Sequence, residues 1–271
     1  MVGPETPPCL FHCNSGQYQV ISAHMSDQPF LRQILEPPKY GFERDGELYR
    51  PSKSEIFAEF FSRLNIFNSK KNWLSLLSWS LIPMLVVPFV LFFTSFFSWS
   101  LFAAAFVYGM ILMGSHGTLY LHRFGTHRAY KVKNSFVLFL IRNLVIKVIP
   151  EEIYIISHHT HHAFSEKPGD PYNVHCGWLY CFLADVNHQM INSRMDEGTY
   201  AKVRALLRHT GVKTNSYEQY KIWGTLCHPL RTVFHYAVNW AFWFGFFYLL
   251  GGLPLAIAIF AGAGTWAVGI R

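Results

Sequence analysis

Two long stretches without a formal charge constrain this chain more than any other feature of its sequence. From residue 72 to residue 122, 51 consecutive residues include no Asp, Glu, Lys or Arg, and a second run of 39 extends from 232 to 270. A helix that crosses a bilayer needs about 20 apolar residues, so each stretch accommodates two crossings. Natural breaks fall near Thr94 and Ser95 and near Gly251 and Gly252. The sequence therefore predicts an all-α membrane protein with four transmembrane helices in two hairpins.

The charges outside these stretches predict how the helices are oriented. A hairpin returns the chain to the side it left, so residues 1–71, 123–231 and the C-terminus share one face. Segment 123–231 carries 14 Lys and Arg against 8 Asp and Glu, and such an excess predicts that this face is cytoplasmic. The net charge of +7 suits a body that rests on anionic lipid headgroups. Because the basic residues are scattered and accompany no binding motif, nucleic acid is not an expected partner.

This pattern divides the chain into five regions. Residues 1–53 are polar and rich in Pro and Gly, which predicts an irregular arm, and residues 54–71 predict an amphipathic interfacial helix with Ser54 as its N-cap. A transmembrane hairpin at 72–121, a cytosolic helical cap at 122–231 and a second hairpin at 232–271 follow. Within the cap, residues 134–149 predict an interfacial helix and residues 199–209 a cationic helix that Gly211 ends.

Two runs of histidine lie beside the apolar segments. His122 and His127 form the first run, and the second holds His158, His159, His161 and His162. On an α-helix His158, His161 and His162 occupy an arc of about 100°, so three imidazoles share one face. His159 lies outside that arc, which predicts a supporting or solvent-facing position. Because neutral imidazole is the commonest metal ligand, the two runs predict a metal site at the membrane surface.

The spacing of the first run leaves two arrangements open. On a regular helix His122 and His127 diverge by about 140°, so they bind one ion only if the helix distorts at Gly125, and otherwise they serve two ions. Neither run contains the glutamate that a zinc hydrolase uses as a base, and five imidazoles exceed what one zinc ion requires. These residues indicate more than one metal ion and a redox task. A histidine-rich surface patch that binds metal adventitiously is the alternative.

The two runs resemble the histidine boxes of the membrane fatty acid desaturase family. His122 and His127 match its first box, His-x-x-x-x-His, while His158, His161 and His162 match its second, His-x-x-His-His. Residues 123–131 and 164–173, which flank the boxes, are similar to the acyl-CoA Δ9 branch. The resemblance covers roughly residues 70–270. It implies four membrane helices beneath a cytosolic helical cap that carries the boxes and holds two irons.

The resemblance also implies an oxidoreductase, one that uses dioxygen to introduce a double bond into a fatty acyl chain. The implied ligands of the two iron ions are His122, His127, His158, His161 and His162, with His159, Glu166, Asp170 and Asn173 in supporting positions. The implied partners are the lipid bilayer, an acyl-CoA or acyl-lipid substrate, and an electron donor such as cytochrome b5 or ferredoxin. The expected host is the endoplasmic reticulum of a eukaryote or the inner membrane of a bacterium.

Several departures from the family pattern qualify these expectations. Nothing resembling a third box follows residue 162, and Ile156 and Ser157 stand where the acyl-CoA branch places Arg-Asp. Two irons in octahedral-type sites take more donors than five imidazoles supply. We therefore expect a truncated desaturase that is inactive as it stands, with an acyl-lipid substrate left open. A related di-iron hydroxylase and a non-catalytic membrane protein with a partial metal site are the alternatives.

Overall fold

The computed structural model describes residues 29–187 and 191–269, and nearly all of its regular structure is helical. Most of the predicted polar arm, residues 1–28, lies outside the described residues. The part of the arm that is described contains a 3-10 turn, Pro29–Gln33, and an antiparallel hairpin of β1 (Glu43–Arg44) and β2 (Glu47–Leu48). Ile34 is completely buried in the main core. This part of the arm is therefore anchored to the body by apolar packing.

Helix α1 (Lys53–Leu64) precedes the first apolar stretch; it begins one residue before the predicted interfacial helix at 54–71 and ends seven residues before the end of that prediction. Its N-cap is Ser52 rather than Ser54. Ser52 Oγ accepts a hydrogen bond from the backbone N–H of Glu55 at 3.3 Å, and the Glu55 carboxylate accepts from the N–H of Ser52 at 2.8 Å. This reciprocal capping box satisfies two of the N–H groups that a helix start leaves unpaired. Ile56 and Phe60 then pack into the body.

The first apolar stretch forms two long helices that end in π-helical segments. Helix α2 (Trp73–Leu91) continues as a π-helical turn, Phe92–Phe96, and helix α3 (Trp99–Leu112) continues as a longer π-helix, Met113–Thr126. Pro83 and Pro88 lie inside α2, as a membrane helix tolerates. The π-helix therefore carries the end of the second apolar helix into the cap.

In the part of the cap that the structure describes there are six shorter helices: α4 (Ser135–Asn143), α5 (Glu151–Phe164), α6 (Trp178–Phe182), α7 (Ala184–Asn187), α8 (Glu197–Leu207) and α9 (Tyr217–Trp223). Helix α5 lies at the centre, where Ile153 and Ile156 pack with Leu121 and Phe124 of the π-helix. Helix α8 starts at Glu197 on its N-cap Asp196. The core of the cap is thus continuous with the π-helix.

The predicted interfacial helix at 134–149 is wrong in its second half. Helix α4 ends at Asn143, and Lys147 is fully buried instead of interfacial. Lys147 Nζ donates to Glu151 Oε1 at 2.5 Å, and Arg142 donates to both carboxylate oxygens at 2.7 and 2.9 Å. Burial alone would raise the pKa of Glu151, but these two cations hold it well below its usual value. The charges in this apolar segment therefore form a buried ion cluster.

The second apolar stretch is helix α10 (Pro229–Gly269), which reverses direction at a glycine pair. Gly251 (φ −153°, ψ 23°) and Gly252 (φ 68°, ψ −170°) are not helical, and the positive φ of Gly252 favours glycine. The rings of Trp240 and Phe260 lie 5.6 Å apart, although a straight helix would separate them by about 30 Å. The two arms of α10 therefore run back along each other.

Small residues let the second arm of α10 approach the first hairpin closely. A Cβ atom at Gly262 would clash with the carbonyl oxygen of Ala105 in α3, and one at Gly264 would lie 3.1 Å from Cβ of Leu85 in α2. Small residues at such interfaces allow membrane helices to pack backbone to backbone. Among the described residues, three helical segments are long and apolar enough to cross a bilayer: Lys70–Phe96, Trp99–Thr126 and Pro229–Gly269.

Candidate metal centre

The first histidine pair is brought together by the π-helix. A π-helix bonds each N–H to the carbonyl five residues earlier, and the N–H of His127 donates to the carbonyl of His122 at 3.0 Å. Residues five apart therefore lie on one face, and the two Nε2 atoms are 2.9 Å apart. The distortion that a shared ion requires is thus present. It extends over the 14 residues of the π-helix instead of arising at Gly125 alone.

Gly125 has a different role, because it allows the π-helix to contact α5. A Cβ atom at this position would lie 2.8 Å from Cδ1 of Ile155, whose side chain is completely buried. Contacts this short do not occur between real side chains, so a larger residue would push the two elements apart. The absence of a side chain at Gly125 therefore sets the distance between the first histidine pair and the second run.

The second run supplies two histidines to the same point. His158 and His162 lie one turn apart on α5, and their Nε2 atoms are 3.2 Å apart. The ring of His158 lies 4.7 Å from that of His122, and the ring of His162 lies 4.5 Å from that of His127. The four imidazoles therefore converge from two elements, and 30 residues of sequence lie between His127 and His158.

The size of this four-histidine cluster fits one metal ion. The four ligand nitrogens all lie within 4.8 Å of one another. An ion held about 2.1 Å from each nitrogen places its donors no more than about 4.2 Å apart, so small side-chain rotations close the site. Four neutral nitrogens suit zinc, copper or iron. The cluster could hold a metal ion with all four positions supplied by the chain.

His161 does not belong to this cluster and instead pairs with a buried carboxylate. Its Nδ1 lies 2.8 Å from Asp170 Oδ1, and this hydrogen bond is the main reason that the pKa of His161 is raised. Asp170 is completely buried and also accepts from the N–H groups of Glu166 and Tyr172, each at 2.8 Å. Metal-binding histidines commonly have such a carboxylate behind them, which fixes the ring and its tautomer. His161 is therefore oriented beside the cluster with Nε2 left as its possible donor atom.

The remaining predicted residues support the loop that carries Asp170, or lie on the other face of α5. Asn173 is completely buried; its Oδ1 accepts from the N–H of His175 at 3.0 Å. Glu166 has φ 59° and its carboxylate accepts from the N–H of Val174 at 3.3 Å. His159 is buried, not exposed to solvent, and its Nε2 has no hydrogen-bond partner among the described residues. None of these three side chains joins the four-histidine cluster.

The electrostatics of the cluster keep its imidazoles neutral. Burial, and then repulsion between the neighbouring rings, lowers the pKa of His158 to about 2 and the pKa of His127 to about 4. The pKa of His162 is lowered for the same reasons. A metal ion binds the neutral form of imidazole, so protons compete weakly for these nitrogens. The four rings are therefore in the state that a metal requires.

Two tyrosines that the sequence did not single out frame the histidines. The ring of Tyr154 stacks on His158 with centroids 5.5 Å apart, and the ring of Tyr172 meets His161 edge-on at 5.6 Å. The hydroxyl of Tyr172 lies 2.9 Å from Ser157 Oγ. Tyr154 lies four residues before His158 on the same helix, a spacing at which two side chains contact each other. These tyrosines restrict the rotation of the rings that they contact.

No model of a protein family, no curated protein and no solved structure matches this chain. What the chain does is therefore inferred from its residues and their geometry.

Proposed function

We propose that this protein is a membrane fatty acyl desaturase, an oxidoreductase that introduces a double bond into an acyl chain with dioxygen as co-substrate. The observation that carries the proposal is the convergence of the two boxes, His122 and His127 with His158 and His162, on one cluster. The cluster lies where the π-helix leaves an apolar segment that is long enough to cross a bilayer. Metal ligands at the end of a membrane helix favour a substrate that lies in the membrane.

The metal would be iron, and the residues present fit one ion better than two. His122, His127, His158 and His162 would hold the first ion, and the Nε2 atom of His161 is available to a second. A di-iron centre takes more donors than these five imidazoles supply, so the proposal requires further ligands outside this set. When bound, the iron supplies the oxygen activation that removes two hydrogens from adjacent methylenes. An unactivated methylene offers no group for an acid or a base to assist.

The task of the chain itself is to hold and orient the donors. Asp170 keeps a proton on Nδ1 of His161, so that Nε2 carries the lone pair. Tyr154 packs against the ring of His158, which restricts its rotation. Close packing of α5 against the π-helix at Gly125 fixes the distance between the two histidine pairs. Each of these contacts reduces the rearrangement needed when the ion binds.

The proposed topology has four membrane crossings in two hairpins, with the histidines on the cytoplasmic side. The contact between Trp240 and Phe260 supports two antiparallel crossings within α10. The excess of Lys and Arg in segment 123–231 supports a cytoplasmic cap. The membrane would be the endoplasmic reticulum or a bacterial inner membrane. An acyl-CoA or acyl-lipid would be the substrate, and cytochrome b5 or ferredoxin the electron donor.

Analysis of cellular lipids tests this function. Cells that express the complete gene are expected to gain unsaturated acyl chains, and the His158→Ala variant is expected to abolish the gain. His175→Ala is the matched control, because His175 is largely exposed and lies outside the cluster. A gain of hydroxylated acyl chains without new double bonds would indicate a related di-iron hydroxylase and not a desaturase. If the composition of the cellular lipids does not change although the protein is expressed normally, both enzymatic functions are contradicted.

A second candidate function is a non-catalytic membrane protein with a single metal ion. The observation that favours it is that four of the five box histidines converge on one point, while His161 is directed to Asp170. Metal analysis of the purified protein separates the two functions. Two irons per chain would support the oxygen-activating centre. One ion per chain, with no change in cellular lipids, would support the non-catalytic protein.

A further inference from the structure

A cavity of about 110 Å³ lies at the membrane boundary, away from the histidine cluster. It is enclosed by the first residues of α5 and α10, by Leu74 at the start of α2, and by the loop that follows α8. Its lining contains none of the box histidines. The volume accommodates a few water molecules, at about 30 Å³ each, or one phosphate-sized group. The cavity and the four-histidine cluster therefore share no residue.

The carboxylates in the cavity wall are already neutralised or hydrogen-bonded. Glu151 belongs to the buried ion cluster with Arg142 and Lys147. Glu152 accepts hydrogen bonds from two consecutive backbone N–H groups before α10, those of Leu226 and Cys227, each at 2.8 Å. Neither carboxylate is therefore available to a cation in the cavity.

Two cationic side chains in the wall, those of Arg231 and Lys213, keep unused donors. Arg231 donates from Nη2 to the carbonyl oxygen of Lys213 at 2.6 Å. Among the described residues, no partner is present for Nε or Nη1 of Arg231, or for the ammonium group of Lys213. Arg231 lies in the first turn of α10, which contains no acidic residue, so the positive end of the helix dipole adds to its charge. The cavity is therefore suited to an anion.

The partly buried imidazole of His235 also lines the cavity. His235 lies one turn after Arg231, and its Nε2 is buried without a hydrogen-bond partner in the described part of the chain. The side chain of His235 therefore forms part of the cavity wall, while the donors that a bound anion can reach are those of Arg231 and Lys213.

The position of the cavity identifies the source of the phosphate as a lipid. Thr232, in the cavity wall, is the first residue of the second charge-free stretch. On the outer side of the same turns, Leu230 and Phe234 are 74% and 71% exposed, in place to contact acyl chains. Basic pockets between membrane helices bind the headgroups of anionic lipids. We propose that this cavity binds the phosphate of an anionic phospholipid headgroup, with its acyl chains against the outer side of α10.

Thermal unfolding of the purified full chain tests the site with defined lipids. Phosphatidylglycerol added to detergent is expected to raise the unfolding midpoint by about 5 °C at saturation, whereas phosphatidylcholine is not. The double variant Arg231→Gln/Lys213→Gln is expected to bind phosphatidylglycerol about tenfold more weakly or worse, since it loses two charged donors. Lys202→Gln, an exposed lysine on α8 outside the cavity wall, is the control and should behave as the wild type.

The single variant Lys213→Gln keeps the test valid if the double variant does not fold. It removes only an exposed ammonium group, because the carbonyl of Lys213 is what Arg231 contacts. Equal stabilisation by phosphatidylcholine and phosphatidylglycerol would overturn the proposal, as would an unchanged affinity in the variants. Inorganic phosphate is the third ligand tested in this experiment. Stabilisation by phosphate at millimolar concentration, without an effect of phosphatidylglycerol, would overturn the lipid as the source.

Discussion

At the scale of single residues, hydrogen bonds decide which histidines share an ion. His158, His161 and His162 occupy one arc of α5, and the sequence predicted them as equivalent. Asp170 separates them, because its buried carboxylate directs the ring of His161 away from the other two. A side chain nine residues further along the chain, in an irregular loop, thus sorts ligands that helical periodicity cannot distinguish.

Replacement of Asp170 tests this role of the carboxylate. Asp170→Asn is expected to weaken metal binding about 10–100-fold, because His161 loses the partner that sets its tautomer and orientation. Competition with a chelator measures the affinity, and thermal unfolding monitors the fold. Asp45→Asn, in the exposed turn of the β-hairpin, is the matched control. An affinity equal to that of the wild type would show that His161 takes no part in metal binding.

Glu152 predicts a pH dependence of stability. Burial raises its pKa from 4.5 to about 7, so the folded state binds this proton more tightly than the unfolded state does. The stability that the proton contributes is complete below about pH 4.5 and is lost as the pH rises through about 7, and amounts to at most about 3 kcal/mol. Glu152→Gln, which carries no charge at any pH, is expected to remove this dependence. Unfolding midpoints at pH 5.5 and pH 8 check it, and parallel pH curves for variant and wild type would contradict it.

At the scale of the elements, the change from α-helix to π-helix at the end of α3 creates the site. The chain is α-helical up to Leu112, and an α-helix that continued through the next 14 residues would direct His122 and His127 apart. Glycines at 117 and 125 allow the wider helix to contact Trp266 and Ile155. The sequence showed that a distortion was needed for a shared ion, and the packing of these neighbours determines its extent.

Two glycines of the π-helix provide a matched pair of substitutions. Gly125→Ala places a Cβ atom 2.8 Å from Ile155 and is expected to destabilise the protein by about 1–3 kcal/mol, with reduced metal content because α5 is displaced. Gly114→Ala adds the same methyl group where no atom lies within 4 Å, and should leave both properties nearly unchanged. Thermal unfolding and metal analysis measure the two effects. Equal behaviour of the two variants would contradict the role assigned to Gly125.

At the scale of the whole molecule, the reversal at Gly251 and Gly252 brings the second arm of α10 against α2 and α3. The wall that this arm forms is rich in alanine and glycine, so the backbones approach closely. The buried ion cluster of Arg142, Lys147 and Glu151 lies beneath the cap, and Asn239 of α10 accepts from the N–H of Lys147. Apolar and polar contacts together therefore attach the cap to the membrane helices.

The proposed arrangement of hairpins predicts which positions share a side of the membrane. Cysteine at Phe97 or at Leu253, both exposed at a turn between apolar segments, is expected to react with an impermeant thiol reagent from one side. Cysteine at Trp178, which is exposed on the cap, should react from the other. Labelling of sealed vesicles in a background without the native cysteines measures this. Reaction of Phe97→Cys and Leu253→Cys from opposite sides would contradict two hairpins.

The sequence by itself determined the membrane character, the helical class and the residues that can bind a metal, because length, charge and residue chemistry are local properties. The sequence identified the two histidine runs as possible metal ligands, and among the described residues three helical segments are long and apolar enough for a bilayer. Only the tertiary structure decided that His122 and His127 lie on a π-helix, that His161 turns to Asp170, and that Lys147 is buried in an ion cluster. Those outcomes depend on contacts between residues far apart in the chain, and periodicity within one segment carries no information about its neighbours.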